Sequence, residues 1–181
     1  AIVIAFLGYF GEWLTLLPSE LLVGEACARV NEGWSYMVKL DDFISLTADN
    51  CGQFGADTRL VIGLDGVIAS PEGLLAGQRL ALVDVINSAA WILVVILLEI
   101  EVRLLTRWGG GSRPMARLAN GLKVVLYMTL VVAAIYWGFK GDFLDFWDAA
   151  LWLFAFVFIE LNVFEWQQEI RDQTESAEGP V

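Results

Sequence analysis

The sequence contains no histidine in its 181 residues. Histidine is the commonest general base, the commonest zinc ligand and the usual axial ligand of haem. Serine and cysteine nucleophiles therefore lack their usual partner in this chain. We expect a protein that is not an enzyme, with no catalytic residues, no metal and no cofactor.

Charged residues are also scarce, and most of them are acidic. Asp, Glu, Lys and Arg make up 18% of the chain, against roughly 25% in typical soluble domains, whereas hydrophobic residues make up 57%. The formal charge of −11 argues against nucleic acid as a partner, because phosphate binding requires clustered Lys and Arg. This composition is typical of an integral membrane protein, so the lipid bilayer is the first partner we expect.

Four apolar runs reach or approach the roughly 20 residues that a helix needs to cross a hydrocarbon core. The first is interrupted by Glu12, Pro18 and Glu20, so it could span the membrane, re-enter on one side or lie at the interface. We therefore predict an all-α integral membrane protein, a bundle of about four transmembrane helices with a small exterior cap between the first two. The runs cover residues 2–23, 82–105, 121–139 and 143–165.

This interpretation divides the chain into four segments. Apolar residues between Val30 and Ile44 recur at roughly helical spacing, and the sequence after them resembles a short strand with turns. The segments are a first apolar helix at 1–24, an exterior segment at 25–81, a three-helix membrane bundle at 82–165 and an acidic cytoplasmic tail at 166–181.

Five basic residues cluster in and around the glycine-rich connection at 108–120. Cytoplasmic loops of membrane proteins carry an excess of Lys and Arg. The connection is therefore predicted to face the cytoplasm and residues 25–81 to face the exterior, and we expect the location to be a bacterial inner membrane. The five residues are Arg103, Arg107, Arg113, Arg117 and Lys123.

Cys27 and Cys51 are the only cysteines of the chain. In an oxidising exterior compartment they could form a disulfide, which by loop-closure entropy would contribute roughly 3 kcal/mol to stability. Two free buried thiols are the alternative, because spacing along the chain does not show whether the Cα atoms are close enough to be bridged.

Several carboxylates lie within the apolar runs or at their ends. Glu99 and Glu101 come just before Arg103 and could be solvated at the cytoplasmic interface, with arginines as counter-charges. Glu160 lies among apolar residues, where an ionisable group costs roughly 2.5–3.5 kcal/mol, so it should not face lipid. It could pair with Arg103 or Lys123, with a neighbouring subunit, or with Glu99 around a shared proton or cation.

The second and fourth runs share a pattern of Asp, Trp and Glu. Asp and Trp also suit the start of any transmembrane helix, because the helix N-terminus favours negative charge and Trp favours the interface. A genuine internal repeat would instead bring matching faces of the two helices together. The two sets are Asp84, Trp91 and Glu99, and Asp145, Trp152 and Glu160.

Two functions are consistent with these features. The first is a non-catalytic subunit or scaffold of a larger membrane assembly, bound to other protein subunits or to copies of itself. The second is a proton or cation transporter or channel component that uses the intramembrane carboxylates Glu99 and Glu160. Glu101, Asp84 and Asp145 are further candidates for ion binding or helix pairing.

Overall fold

The computed structural model describes residues 2–108, 113–140, 143–144, 146–159 and 162. In this part of the chain, four α-helices accompany a five-stranded mixed sheet, so the predicted all-α bundle is wrong. Residues up to Thr129 form one compact unit, and those from Leu130 form a second. The elements are helices α1 (Ile2–Leu16), α2 (Pro71–Trp108), α3 (Arg113–Lys140) and α4 (Phe146–Ile159), and strands β1 (Ser19–Leu21), β2 (Ser35–Lys39), β3 (Asp42–Ser45), β4 (Arg59–Val61) and β5 (Val67–Ala69).

The sheet has the strand order β1-β4-β5-β2-β3. Strands β2 and β5 are parallel, and every other neighbouring pair is antiparallel. All three residues of β5, at the centre, are buried, whereas all four residues of β3, at one edge, are exposed. Asp41 and Asp42 stand at the start of that edge, where charge discourages pairing with the edge strand of another molecule.

Both faces of the sheet are covered, because successive side chains of a strand point to opposite sides. Met37, Val61 and Ala69 lie on one face and share a core with residues of α1 and α2. Ile68 lies on the other face and packs with Cys51 beneath two short 3-10 helices, Ala26–Arg29 and Cys51–Gln53. The sheet is therefore the middle layer of a small domain.

This burial explains why the helical spacing between Val30 and Ile44 is misleading. The segment forms the β2–β3 hairpin, in which Tyr36 pairs with Ile44 and Met37 with Phe43. Since β2 has apolar neighbours on both faces, its residues do not alternate between apolar and polar, and the usual two-residue signal of a strand is lost. A register shift between Met37 and Lys39 disturbs the pattern further.

Helix α2 begins at Pro71, well before the predicted start at residue 82. The Ser70 hydroxyl accepts a hydrogen bond from the Gly73 backbone N–H at 3.0 Å, which satisfies one of the unpaired donors of the first turn. Proline is favoured at the first helical position because its fixed φ suits the helix. The sequence Ser70-Pro71-Glu72 is thus a helix start that we interpreted as a turn.

Two described helices, α2 over Pro71–Arg103 and α3 over Arg117–Lys140, are long and apolar enough to cross a membrane. Helix α1 has 15 residues and a length of about 22 Å, short of a ~30 Å hydrocarbon core, so the predicted first span is not formed by this helix alone. It packs along α2, and the Gln78 side-chain amide donates a 2.7 Å hydrogen bond to the Leu16 carbonyl at its end. Helix α4 is also shorter, and the rest of the predicted fourth span lies partly outside the described residues.

Gly63 provides a test of how the sheet is attached to α1. A Cβ atom at this position would lie 2.8 Å from the Cα and carbonyl carbon of Thr15, closer than real Cβ contacts occur. Gly63→Ala is therefore expected to lower the unfolding free energy by about 1–3 kcal/mol, the usual cost of overpacking. Thermal unfolding of the purified chain in detergent would measure the loss. Gly52→Ala, which has open space around it, is the matched control, and equal unfolding temperatures for both variants would contradict this contact.

Candidate functional site

An ion pair connects the two helices that are long enough to cross a membrane. The Lys123 ammonium of α3 lies 2.6 Å from Oε2 of Glu101 on α2. The side chains are only 18% and 27% exposed, so the pair is largely removed from water. Removing one partner would leave a poorly solvated charge, which makes such a pair costly to break.

The local sequence places both members on the buried stripe of their helices. Leu97, one turn before Glu101, is buried, and so is Leu126, about one turn after Lys123. Residues three or four apart lie on the same face of a helix, so each charge continues an apolar contact surface. Glu101 and Lys123 thus join α2 to α3 at a point where each helix has a buried leucine about one turn away.

Glu99 has a different environment from Glu101. Its Oε1 accepts a 2.7 Å hydrogen bond from Nε of Arg103, one turn further along α2, and lies 2.7 Å from Nη2 of the same guanidinium. The Glu99 and Arg103 side chains are 58% and 71% exposed. An exposed pair with this spacing and orientation contributes only about 0.3–0.5 kcal/mol to a helix.

The other predicted carboxylates cannot be compared in the same way. Asp84 lies half-buried in α2. Glu160 and Asp145 lie outside the described residues, and so does any pairing of Glu160 with Glu99, Arg103 or Lys123. The repeated Asp, Trp and Glu pattern therefore stays a prediction, whereas Glu99 and Glu101 each have a basic partner close by.

The two cysteines are joined to each other. Their Cα atoms are 4.9 Å apart, and the Cys27–Cys51 disulfide links the two 3-10 helices that cover one face of the sheet. Cys51 is buried in the core on that face, whereas Cys27 is exposed. A crosslink that closes a loop of this size contributes roughly 3 kcal/mol in the chain-entropy model, so it strengthens the layer that covers this face.

Glu12 is a polar feature that the sequence showed only as an interruption of an apolar run. It lies in the last turns of α1, half-buried beside the sheet domain. Burial raises the pKa of its carboxyl above the ordinary value, and the negative charge of Asp41, before β3, raises that pKa further. The proximity of Glu12 and Asp41 could not be foreseen, because it depends on how the sheet packs against α1.

The sheet domain also contains a cavity of about 240 Å³. It lies at the carboxyl ends of the parallel strands β2 and β5, beside the first turn of α2. The lining is mixed, and Tyr36, Gln53 and Ser70 are its residues with polar side-chain groups. The lining residues are Tyr36, Met37, Val38, Gln53, Phe54, Ser70 and Gly73.

Comparison with other proteins gives no family assignment. Within the described part of the chain, no group of three or more His, Cys, Asp or Glu residues could hold a metal ion. No family model, curated protein or solved structure matches the sequence or the fold. Function must therefore be inferred from the residues and contacts of this chain.

Substitution of Glu101 would test whether the buried ion pair holds the helices together. Glu101→Gln removes the charge–charge contact between Glu101 and Lys123, and we expect a loss of about 1–3 kcal/mol in unfolding free energy, between the values for exposed and buried pairs. The exchanged variant Glu101→Lys/Lys123→Glu should recover part of that loss. Thermal unfolding in detergent would measure both.

Glu99→Gln is the matched control for this experiment. Glu99 is two residues from Glu101 and carries the same charge, but its ion pair with Arg103 is exposed. It should cost less than about 0.5 kcal/mol. If Glu101→Gln destabilises the protein no more than Glu99→Gln does, the interhelical pair has no special role.

Proposed function

We propose that this protein is a non-catalytic subunit or scaffold of a larger membrane assembly, located in a bacterial inner membrane. In this proposal α2 and α3 cross the bilayer, and the disulfide-linked sheet domain lies on the exterior face. The protein would bind other subunits or copies of itself through surfaces that its own chain leaves uncovered.

The continuity of α2 is the observation that carries the proposal. Leu74 and Ala81, in its first turns, belong to the core of the sheet domain. The same helix then continues unbroken to Trp108, and only 28% of its most apolar 18-residue stretch is buried by the rest of the chain. A core helix of a soluble protein would be mostly covered, so this exposed apolar surface is best explained by lipid or by a partner helix.

Two independent signals support the orientation. Stable disulfides are typical of oxidising compartments, and the Cys27–Cys51 bridge therefore supports a position of this domain outside the cytoplasm. The arginine-rich segment at 102–122 contains no acidic residue, and such segments are typical of the cytoplasmic side. The disulfide-linked domain precedes the apolar stretch of α2, and the arginines follow that stretch. A single crossing of the membrane by α2 therefore agrees with both the disulfide and the arginines.

The charged residues also give a consistent depth for the bilayer. Sixteen uncharged residues separate Lys123 from Lys140 along α3, a length of about 26 Å between the two ammonium-bearing positions. On α2, the roughly 20 residues that cross a hydrocarbon core extend from Glu101 back to Ala81, which belongs to the core of the sheet domain. The Glu101–Lys123 pair would therefore lie near the cytoplasmic boundary of the hydrocarbon.

The pairing of the carboxylates supports a scaffold more than a transporter. A proton or cation carrier needs a carboxylate that can exchange its bound ion, whereas Glu101 is held by Lys123 and Glu99 by Arg103. Both contacts stabilise helices. The transporter alternative now depends on Glu160, whose surroundings are outside the described residues.

Labelling of single engineered cysteines would test the orientation. Ser112→Cys, in the connection after α2, should react only from the cytoplasmic side, and Asp65→Cys, at an exposed position between β4 and β5, only from the exterior. The native cysteines are bonded to each other and should give little background. Labelling of position 112 from outside intact cells would overturn the proposed topology.

Native purification would test the assembly role. The tagged full chain, extracted in mild detergent, is expected to retain other subunits at a fixed stoichiometry, measured by native mass spectrometry. The alternative function predicts instead a protein that moves protons in liposomes, with flux abolished by Glu160→Gln or Glu99→Gln. An isolated chain with such a flux would refute the scaffold proposal, and the Glu101→Gln variant would control for general loss of structure.

A further inference from the structure

We propose that the end of the α2–α3 hairpin beyond the Glu101–Lys123 ion pair binds the phosphate headgroups of anionic phospholipids. This surface, the basic hairpin end, is formed by residues 102–108 of α2 and 113–122 of α3. The inference rests on the proposed placement of α2 and α3 in a membrane. The inference adds a specific lipid-binding site to the proposed membrane-spanning helices.

The charge of this segment is unlike that of the rest of the chain. Residues 102–122 contain four arginines and no acidic residue, in a protein with a formal net charge of −11. Residues 19–70, which include the sheet, contain eight acidic and three basic residues. An anionic ligand is therefore favoured at the basic hairpin end and disfavoured at the sheet domain.

The helical periodicity groups the arginine positions in two pairs. Positions 103 and 107 are one turn apart on α2, and positions 113 and 117 are one turn apart on α3. The 2.6 Å contact between Glu101 and Lys123 holds the helices together just before these positions. Arginine suits phosphate better than lysine does, because its planar group can donate two parallel hydrogen bonds to phosphate oxygens.

Apolar side chains at the same end indicate a lipid headgroup as the source of the phosphate. Val102, Leu118 and Leu122 are 57%, 74% and 46% exposed, and Arg117 is exposed between them in sequence. A surface that mixes exposed arginine with exposed Leu and Val suits the boundary between headgroups and acyl chains. A free phosphate ion would gain nothing from the apolar neighbours.

The depth of the basic hairpin end in the membrane agrees with a lipid headgroup as the source of the phosphate. If the Glu101–Lys123 pair lies at the hydrocarbon boundary, positions 107 and 117 lie about 9 Å beyond it along their helices. The polar headgroup region extends roughly 5–8 Å beyond the hydrocarbon on each side of the bilayer. Positions 103, 107 and 117 thus lie within or just outside the headgroup region, and position 113 lies about 15 Å beyond the boundary.

Lipid titration of the purified full chain would test the site. In a neutral detergent, wild-type protein is expected to bind phosphatidylglycerol more tightly than phosphatidylcholine, measured by native mass spectrometry. Arg113→Gln/Arg117→Gln should weaken phosphatidylglycerol binding by roughly 25-fold, about fivefold for each arginine, and leave phosphatidylcholine binding unchanged. The matched control is Lys39→Gln/Arg79→Gln, which removes two exposed positive charges from the sheet domain and from the start of α2.

Three outcomes would overturn the inference. They are equal affinity for the two lipids, an unchanged affinity in Arg113→Gln/Arg117→Gln, and full displacement of phosphatidylglycerol by millimolar inorganic phosphate, which would indicate a site for free phosphate. A thermal unfolding temperature equal to that of wild type would show that the arginine variant is folded. Binding in detergent does not depend on which side of the membrane the hairpin faces, so this result stands apart from the cysteine-labelling test of topology.

Discussion

The packing of the first turns of α2 against the sheet is the contact on which the rest of the structure depends. Leu74 and Ala81 complete a core formed by Met37, Val61 and Ala69. Helix α2 is thus needed to bury this face of the sheet. From residue 78 to residue 108 the helix contains neither glycine nor proline, the usual sites of sharp kinks. The orientation of the sheet domain is therefore tied directly to that of the apolar helix below it.

The long apolar helices could be predicted from the sequence and the sheet could not, for a physical reason. An uninterrupted apolar run as long as that of α2 or α3 is typical of a membrane-spanning helix, so both helices follow from composition alone. The strands are three to five residues long, β5 is buried on both faces and β2 has apolar neighbours on both, so neither length nor alternation distinguishes them. The start of α2 could have been found, because Ser70 followed by Pro71 is a recognised cap and first position.

The candidate site was foreseen in its residue types but not in its partners. The position of Glu99 and Glu101 just before arginines indicated ion pairs, and Arg103 does pair with Glu99. Lys123 pairs with Glu101 from the neighbouring helix, whereas its pairing with Glu160 stays a prediction because Glu160 lies outside the described residues. Contacts within a helix follow from spacing, whereas contacts between helices depend on packing angles that the sequence does not show. The cavity beside Gln53 and Ser70 was missed for the same reason.

The hydrogen bond from the Gln78 side chain to the Leu16 carbonyl has a consequence for how this architecture could arise and be altered. The chain leaves α1 after Leu16, and the side-chain amide of Gln78, early in α2, lies 2.7 Å from the Leu16 carbonyl oxygen. The segment between these two residues contains the sheet and the first turns of α2, and it begins and ends at neighbouring points, the arrangement that lets one module be exchanged for another. A short turn in place of residues 17–77 would connect α1 to the remainder of α2 as a simple helical hairpin. The sheet domain can thus be regarded as a module that could be replaced while the two helices are kept.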